Sequence, residues 1–182
     1  MKKSFGVLPT GEQTYLYTIS CGGITATVTD LGATLVSVFV PDADGNVVDV
    51  VLGYDNAADY LAGSSFFGAI VGRSANRIKG STFSLGGREY SLTPNEHSNN
   101  LHSGPSFYHT RLWTVTACTD TSISLRLDSP AGDQGYPGNA SIDVTYSLDE
   151  TGGLHIAYDA VCDRDTIFNL TNHSYFNLAG EA

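Results

Sequence analysis

The sequence predicts an all-β protein, an antiparallel β-sandwich, and three observations support this prediction. Apolar and polar residues alternate with a period of two in several runs, which is the pattern of strands that have one buried face. Glycine-containing turns separate these runs, and no strand–helix alternation occurs that would favour a parallel α/β sheet. The 182 residues include 20 Gly, 10 Tyr and 8 Phe, a composition that suits strands joined by many turns.

Each element follows from its local pattern. The steps Asp44-Gly45 and Gly86-Gly87 predict tight hairpin turns, because primed turns need residues with positive φ. A short helix is predicted near residues 56–61, with Asn56 as its N-cap. No linker or repeat divides the chain, so residues 1–182 are predicted to belong to one domain. The clearest strand runs have their apolar positions at Ile24, Ala26 and Val28; at Ile123, Leu125 and Leu127; at Ile142, Val144, Tyr146 and Leu148; and at Leu154, Ile156, Tyr158 and Ala160.

The charge balance indicates which classes of partner suit the chain. Nine Lys and Arg residues against 19 Asp and Glu residues give a net charge of −10, which disfavours nucleic acids and anionic membranes as partners. A neutral small molecule fits this charge better. No apolar run is long enough for a membrane span, and no apolar segment of a secretory signal follows the N-terminal lysines. Three cysteines without a CxxC pair predict free thiols in a reducing compartment, hence a cytoplasmic protein.

Motifs for nucleotides and metals are missing from the sequence. It contains no GxxxxGK[ST] and no GxGxxG placed between a strand and a helix. The histidines His97, His102 and His109 are close in sequence, but spacings of five and seven residues match no standard zinc site. We therefore expect neither a metal nor a cofactor.

Two polar segments are the strongest candidates for function. The first joins Arg73, Asn76 and Arg77 with residues 99–104, and the second, residues 169–178, places three Asn, a His and a Tyr among apolar residues. Such a polar strand needs either internal hydrogen-bond partners or a wet cleft. The two interpretations, a structural network and a ligand site, have equal support from composition. As a site, amides, imidazoles and aromatic rings suit a neutral polyhydroxylated ligand.

At these residues the chain resembles the N-terminal part of the aldose 1-epimerase (galactose mutarotase) family. The similarity runs along essentially the whole chain and is most specific in the stretch NLTNHSYFNLAG. After His102 the chain departs from the family pattern of a second Gly and a Gly-Phe pair. The matching signatures, in family order, are Gly72-Arg73-x-Ala75-Asn76-Arg77-Ile78, Asn100-Leu101-His102, residues 132–139 (GDQGYPGN) and residues 169–180.

The resemblance implies a large antiparallel sandwich of the supersandwich type and a reaction that needs no cofactor. The family interconverts the α and β anomers of free aldohexoses such as galactose and glucose by general acid–base ring opening. The resemblance also implies that His173 is the general acid and that His102 and Arg77 hold sugar hydroxyls near the ring oxygen. Arg73 is the weaker arginine candidate, with a structural role open. The substrate-binding set that the resemblance implies is Asn76, Arg77, His102, His173, Ser174 and Tyr175, with His173 and His102 as the catalytic pair.

The family's catalytic base is a Glu that lies beyond the segment to which this chain corresponds, so we assign no base. We expect a single incomplete domain with exposed sheet edges that allow self-association. Three hypotheses stay open: an enzyme of this family with little activity as an isolated chain, a non-catalytic sugar-binding module, and a subunit that another chain completes.

Overall fold

The computed structural model of the chain describes residues 1–180, and its two main layers are antiparallel sheets. The first is a five-stranded meander of β1 (Lys2–Val7), β2 (Gln13–Cys21), β3 (Ile24–Thr29), β4 (Thr34–Pro41) and β5 (Val47–Asp49). Between the layers in sequence lie α1 (Ala57–Ala62) and the short strands β6 (Ile70–Val71), β7 (Arg77–Ile78), β8 (Thr82–Leu85), β9 (Arg88–Ser91) and β10 (Asn100–Leu101). The second layer consists of β11 (Thr114–Cys118), β12 (Ser122–Ser129), β13 (Ala140–Leu148) and β14 (Leu154–Cys162), and β15 (Thr171–Asn172) follows it.

The two layers pack face to face around one apolar core. Ile19 and Val28 from the first sheet and Leu125 and Val144 from the second belong to the same buried cluster, and all four are 0% exposed. A hydrogen bond of 2.7 Å from the Tyr146 hydroxyl to the Ala33 carbonyl joins the layers as well. The predicted sandwich is therefore confirmed, and burial of these side chains is its main source of stability.

The predicted alternation is clearest in β13. Its residues alternate between buried and half-buried along the whole strand, with Ile142 and Tyr146 fully enclosed. The β14 run also forms a strand, but it has β13 on one side only, and Tyr158 is 37% exposed. Its apolar face is only partly covered by the residues that the structure describes.

One of the two predicted hairpin turns is correct. Gly86 and Gly87 have φ values of +58° and +75° and join paired residues of β8 and β9, as a primed turn requires. Asp44 and Gly45 do lie in the connection of the β4–β5 hairpin, but not as a primed two-residue turn, because Gly45 alone of the two has positive φ and the loop extends over residues 42–46. The Asp42 carboxylate stabilises this longer loop by accepting hydrogen bonds from the backbone N–H groups of Asp44 and Asn46 at 2.9 and 2.8 Å.

The predicted helix is confirmed as α1, which begins one residue after its cap. The Asn56 side chain accepts a hydrogen bond of 3.1 Å from the Asp59 N–H, so one of the free amides at the helix start has a partner. Tyr60 on this helix packs against Phe5 of β1. In residues 1–180 no helix is both long enough and apolar enough to pass through a membrane. Cys21, Cys118 and Cys162 are free thiols.

Candidate active site

Two short strands bring the first polar segment together. β7 pairs with β10, so Arg77 lies opposite Leu101 and the residues beyond the strand ends, Asn76 and His102, become neighbours. The Asn76 N–H donates to His102 Nδ1 at 3.0 Å, and the His102 N–H donates to the Asn76 carbonyl at 3.0 Å. Both residues have positive φ, +61° and +52°, conformations that non-glycine residues adopt mainly where surrounding structure imposes them.

The hydrogen bond from Asn76 selects the tautomer of the neutral His102 ring. Since Nδ1 accepts a hydrogen bond, the neutral ring carries its proton on Nε2 and presents an N–H donor there. Burial, together with the nearby His173 and the positive charge of Arg77, lowers the pKa of His102 to about 4. His102 is therefore a neutral hydrogen-bond donor at physiological pH.

The second polar segment is attached to the core by its backbone and by Asn172. β15 pairs with β6, and the His173 N–H donates to the Ala69 carbonyl at 2.8 Å. The Asn172 side chain donates to the Gly68 carbonyl at 2.7 Å and to the Tyr146 hydroxyl at 3.2 Å. Asn172 therefore belongs to an internal network, as the structural interpretation expected, while the next residue, His173, lies among the imidazoles.

The two predicted catalytic histidines lie side by side. The ring centroids of His102 and His173 are 5.2 Å apart, with the ring planes nearly perpendicular at 88°. The Tyr175 ring lies 5.3 Å from the His173 ring and is half exposed. These contacts join residues 71 positions apart in the sequence into one cluster.

Arg77 lies at the edge of this cluster and already has a partner. Its Nε donates to both carboxylate oxygens of Glu96, at 2.9 and 2.8 Å. The hydrogen bonds and charge of Glu96 raise the pKa of Arg77, and those of Arg77 lower the pKa of Glu96. The Arg77 side chain is 52% exposed, so part of the guanidinium stays accessible to a ligand.

Two further predicted residues, Ser174 and Arg73, have their polar groups enclosed in the structure. The Ser174 hydroxyl is enclosed, and the part of the chain that the structure describes offers it no hydrogen-bond partner. Arg73 is fully buried and donates to the Pro137 carbonyl and to the Ser129 hydroxyl, at 2.8 and 2.6 Å. Arg73 therefore links loops beneath the cluster, which supports the structural role left open for it.

Three residues of the cluster were not predicted as site residues. Phe66 lies between the imidazoles, and His109 packs against it with ring centroids 4.6 Å apart. Burial, with His102 and His173 nearby, lowers the pKa of His109 to about 4. Glu96 is the partner of Arg77. His109 was visible in the sequence only as one of three neighbouring histidines, and nothing local marked Phe66 or Glu96.

The buried imidazole of His102 and the half-buried imidazole of His109 predict a stability that falls as the pH falls. An unfolded chain takes up protons on His102 and His109 near pH 6.5, whereas the folded chain resists until about pH 4. Stability is thus fully present above pH 6.5 and declines as the pH falls towards 4. Between pH 7 and pH 5 we expect the free energy of unfolding to fall by about 1–2 kcal/mol for each imidazole.

Urea denaturation at a series of pH values measures this effect. The double variant His102→Asn/His109→Asn should show a flatter pH dependence over the same range. An unchanged slope in the double variant would contradict the assignment of neutral buried imidazoles.

A comparison with known proteins identifies the family and the fold. Residues 15–182 match the sequence model of the aldose 1-epimerase family. The chain belongs to this family. The galactose mutarotase of Mus musculus is 42% identical over 178 residues, which are 97% of this chain and 52% of the mouse protein. The aldose 1-epimerase of Escherichia coli K12 is 38% identical over 174 residues, 95% of this chain and 50% of that protein. The chain spans about half the length of these relatives.

Solved structures of family members confirm the predicted fold. An aldose epimerase homologue from C. elegans is 38% identical and superposes with a TM-score of 0.88 over 92% of this chain and 52% of that one. Galactose 1-epimerase from Lactobacillus acidophilus NCFM is 30% identical, with a TM-score of 0.85 over 98% of this chain and 53% of that one. The sandwich is thus of the galactose mutarotase type.

Proposed function

We propose that this chain carries the acid side of a sugar anomerase site, which interconverts the α and β anomers of free aldohexoses such as galactose and glucose. The observation that carries the proposal is the contact between His102, a neutral donor, and His173, with Arg77 close by. Relatives named galactose mutarotase and aldose 1-epimerase support the same reaction.

The proposed reaction needs only proton transfers. His173 donates a proton to the ring oxygen, a base removes the proton of the anomeric hydroxyl, and the bond between C1 and the ring oxygen breaks to give an open-chain aldehyde. Rotation about the C1–C2 bond and reversal of both transfers close the ring on the other face. His102 Nε2–H and the accessible part of the Arg77 guanidinium hold sugar oxygens, and Asn76 and Tyr175 complete the binding surface. Each positioned proton-transfer group contributes roughly 10²–10⁴-fold to the rate.

We propose that the base lies outside residues 1–180. Among these residues, no carboxylate contributes to the pKa shifts of His102 or His109. Glu96, the acidic residue that contacts Arg77, is a poor base because Arg77 lowers its pKa. Residues 1–180 then supply the acid but not the base. The isolated chain should therefore bind hexose but accelerate its mutarotation only weakly.

A second candidate is a subunit that associates through its exposed sheet edge. β14 has no neighbour on one side among the strands described, and Val161 on it is 63% exposed. Unpaired apolar edges favour pairing with another chain.

The three free thiols suit a reducing compartment, and we propose a cytoplasmic location for this chain.

Polarimetry and calorimetry with galactose test the proposal together. We expect calorimetry to detect galactose binding, and polarimetry to record a mutarotation rate slightly above the spontaneous rate. Binding without any acceleration would favour a sugar-binding module, whereas neither binding nor acceleration would contradict the proposed function. Sedimentation at the same concentrations separates the self-associating subunit, because a strictly monomeric chain would contradict it.

A further inference from the structure

Phe66 is the centre of the imidazole cluster. Its ring centroid lies 5.0 Å from that of His102, 4.6 Å from that of His109 and 5.6 Å from that of His173. Phe107 closes the far side, with centroids 5.2 Å apart. His102 and His173 contact each other as well, so Phe66 forms a triangle of rings with them.

The backbone holds Phe66 in this position at an energetic cost. Phe66 has a φ of +56°, a conformation that costs a bulky L-residue about 1–2 kcal/mol. Its carbonyl accepts a hydrogen bond of 3.2 Å from the Ala69 N–H, which closes the turn before β6. The same turn is seated against the core, since a Cβ on Gly68 would lie 1.8 Å from the Leu35 carbonyl oxygen. Strain of this kind persists where the surrounding structure enforces it, and it concentrates at functional sites.

The phenyl ring of Phe66 can orient the neighbouring imidazoles without binding their nitrogens. Phenylalanine has no donor or acceptor, so it orients an imidazole by packing and leaves the ring nitrogens free for other partners. It also excludes water from the imidazole faces, which disfavours their charged forms. Lowered pKa values of His102 and His109 agree with this effect.

We propose that Phe66 is a positioning residue of the site, which fixes the mutual orientation of His102, His109 and His173. Its importance for catalysis rests on the proposed function, but the arrangement itself can be tested without a sugar. His109 is then a third imidazole of the site, in contact with Phe66 as the His102–His173 pair is.

NMR titration of the five histidines tests the proposal in the Phe66→Leu and Phe66→Tyr variants. Loss of the aromatic ring in Phe66→Leu should raise the titration midpoints of His102 and His109 by about one pH unit or more, because water then reaches both imidazoles. Phe66→Tyr keeps the ring and should retain the wild-type midpoints. Phe176→Leu, a matched change at an exposed phenylalanine of the His173 segment, should also leave them unchanged. The resonances of His97 and His155 serve as references in every variant.

Wild-type midpoints for His102 and His109 in folded Phe66→Leu would overturn the proposal. If that variant does not fold, wild-type cross-relaxation decides the matter, because Phe66 ring protons should show NOEs to the ring protons of all three imidazoles. Missing NOEs to two of them would equally overturn it. A failure of the proposed function looks different, since galactose would then shift no histidine resonance while the Phe66 variants behaved as expected.

Discussion

Replacement of His173 by Asn is expected to reduce the catalysed rate of galactose mutarotation by about 10²-fold or more, down to the spontaneous rate if the wild-type acceleration is smaller. Asn preserves approximate shape and hydrogen bonding, but it cannot transfer a proton to the ring oxygen. Because this transfer belongs to the transition state, the affinity for galactose should change much less than the rate.

Polarimetry with calorimetry on the same samples measures both quantities. His155→Asn is the matched control, since His155 lies in an exposed pair with Asp149 outside the imidazole cluster. This control should retain the wild-type rate. An equal rate in wild type and His173→Asn would exclude His173 as the general acid.

Replacement of Arg73 by Leu is expected to lower the free energy of unfolding by about 3–5 kcal/mol, because several acceptors in the interior would lose their hydrogen-bond donor at once. Arg73 is 0% exposed and connects Ser129, at the end of β12, with Pro137 and Thr166 in two later loops. Without the guanidinium, these buried acceptors lose their partners, and each unpaired group adds to the cost. Arg73→Lys should also be destabilising, because one ammonium cannot reproduce the planar fork of donors.

Urea denaturation compares this variant with Arg126→Leu. Arg126 forms an ion pair with Asp143 on the surface and is 48% exposed, so its loss should cost less than about 1 kcal/mol. Similar destabilisation in the two variants would contradict a special role for the buried guanidinium. A stable Arg73→Leu protein would show that the loop network does not support the fold.

The layers of the fold could be predicted because burial leaves a local trace. In β13 every second side chain faces the core, and Ile142, Val144 and Tyr146 record this in their spacing. The exposure of β14 could not be predicted in this way, because the sequence pattern of an apolar residue such as Tyr158 is the same whether or not a neighbouring element covers it. The turn type at Asp44-Gly45 was mispredicted, because the Asp42 carboxylate accepts backbone hydrogen bonds that stabilise a longer turn.

The site was predictable only as far as its motifs extend. Family signatures identified His102 and His173, but the ring that orients both is Phe66, which occurs in a segment with no polar pattern. Its contacts reach residues up to 107 positions away, and such distances cannot be read from spacing. The pairing of Arg77 with Glu96 depends likewise on the loop between β9 and β10.

In the proposed site, His102 and His173 together contact a hexose. The most direct measurement is an NMR titration of the histidine side chains with galactose, with glycerol at equal concentration as the control. We expect saturable shifts of the His102 and His173 resonances with galactose alone, while the resonances of His97 and His155 stay in place. Equal small shifts of all histidines, or none at any galactose concentration, would contradict it.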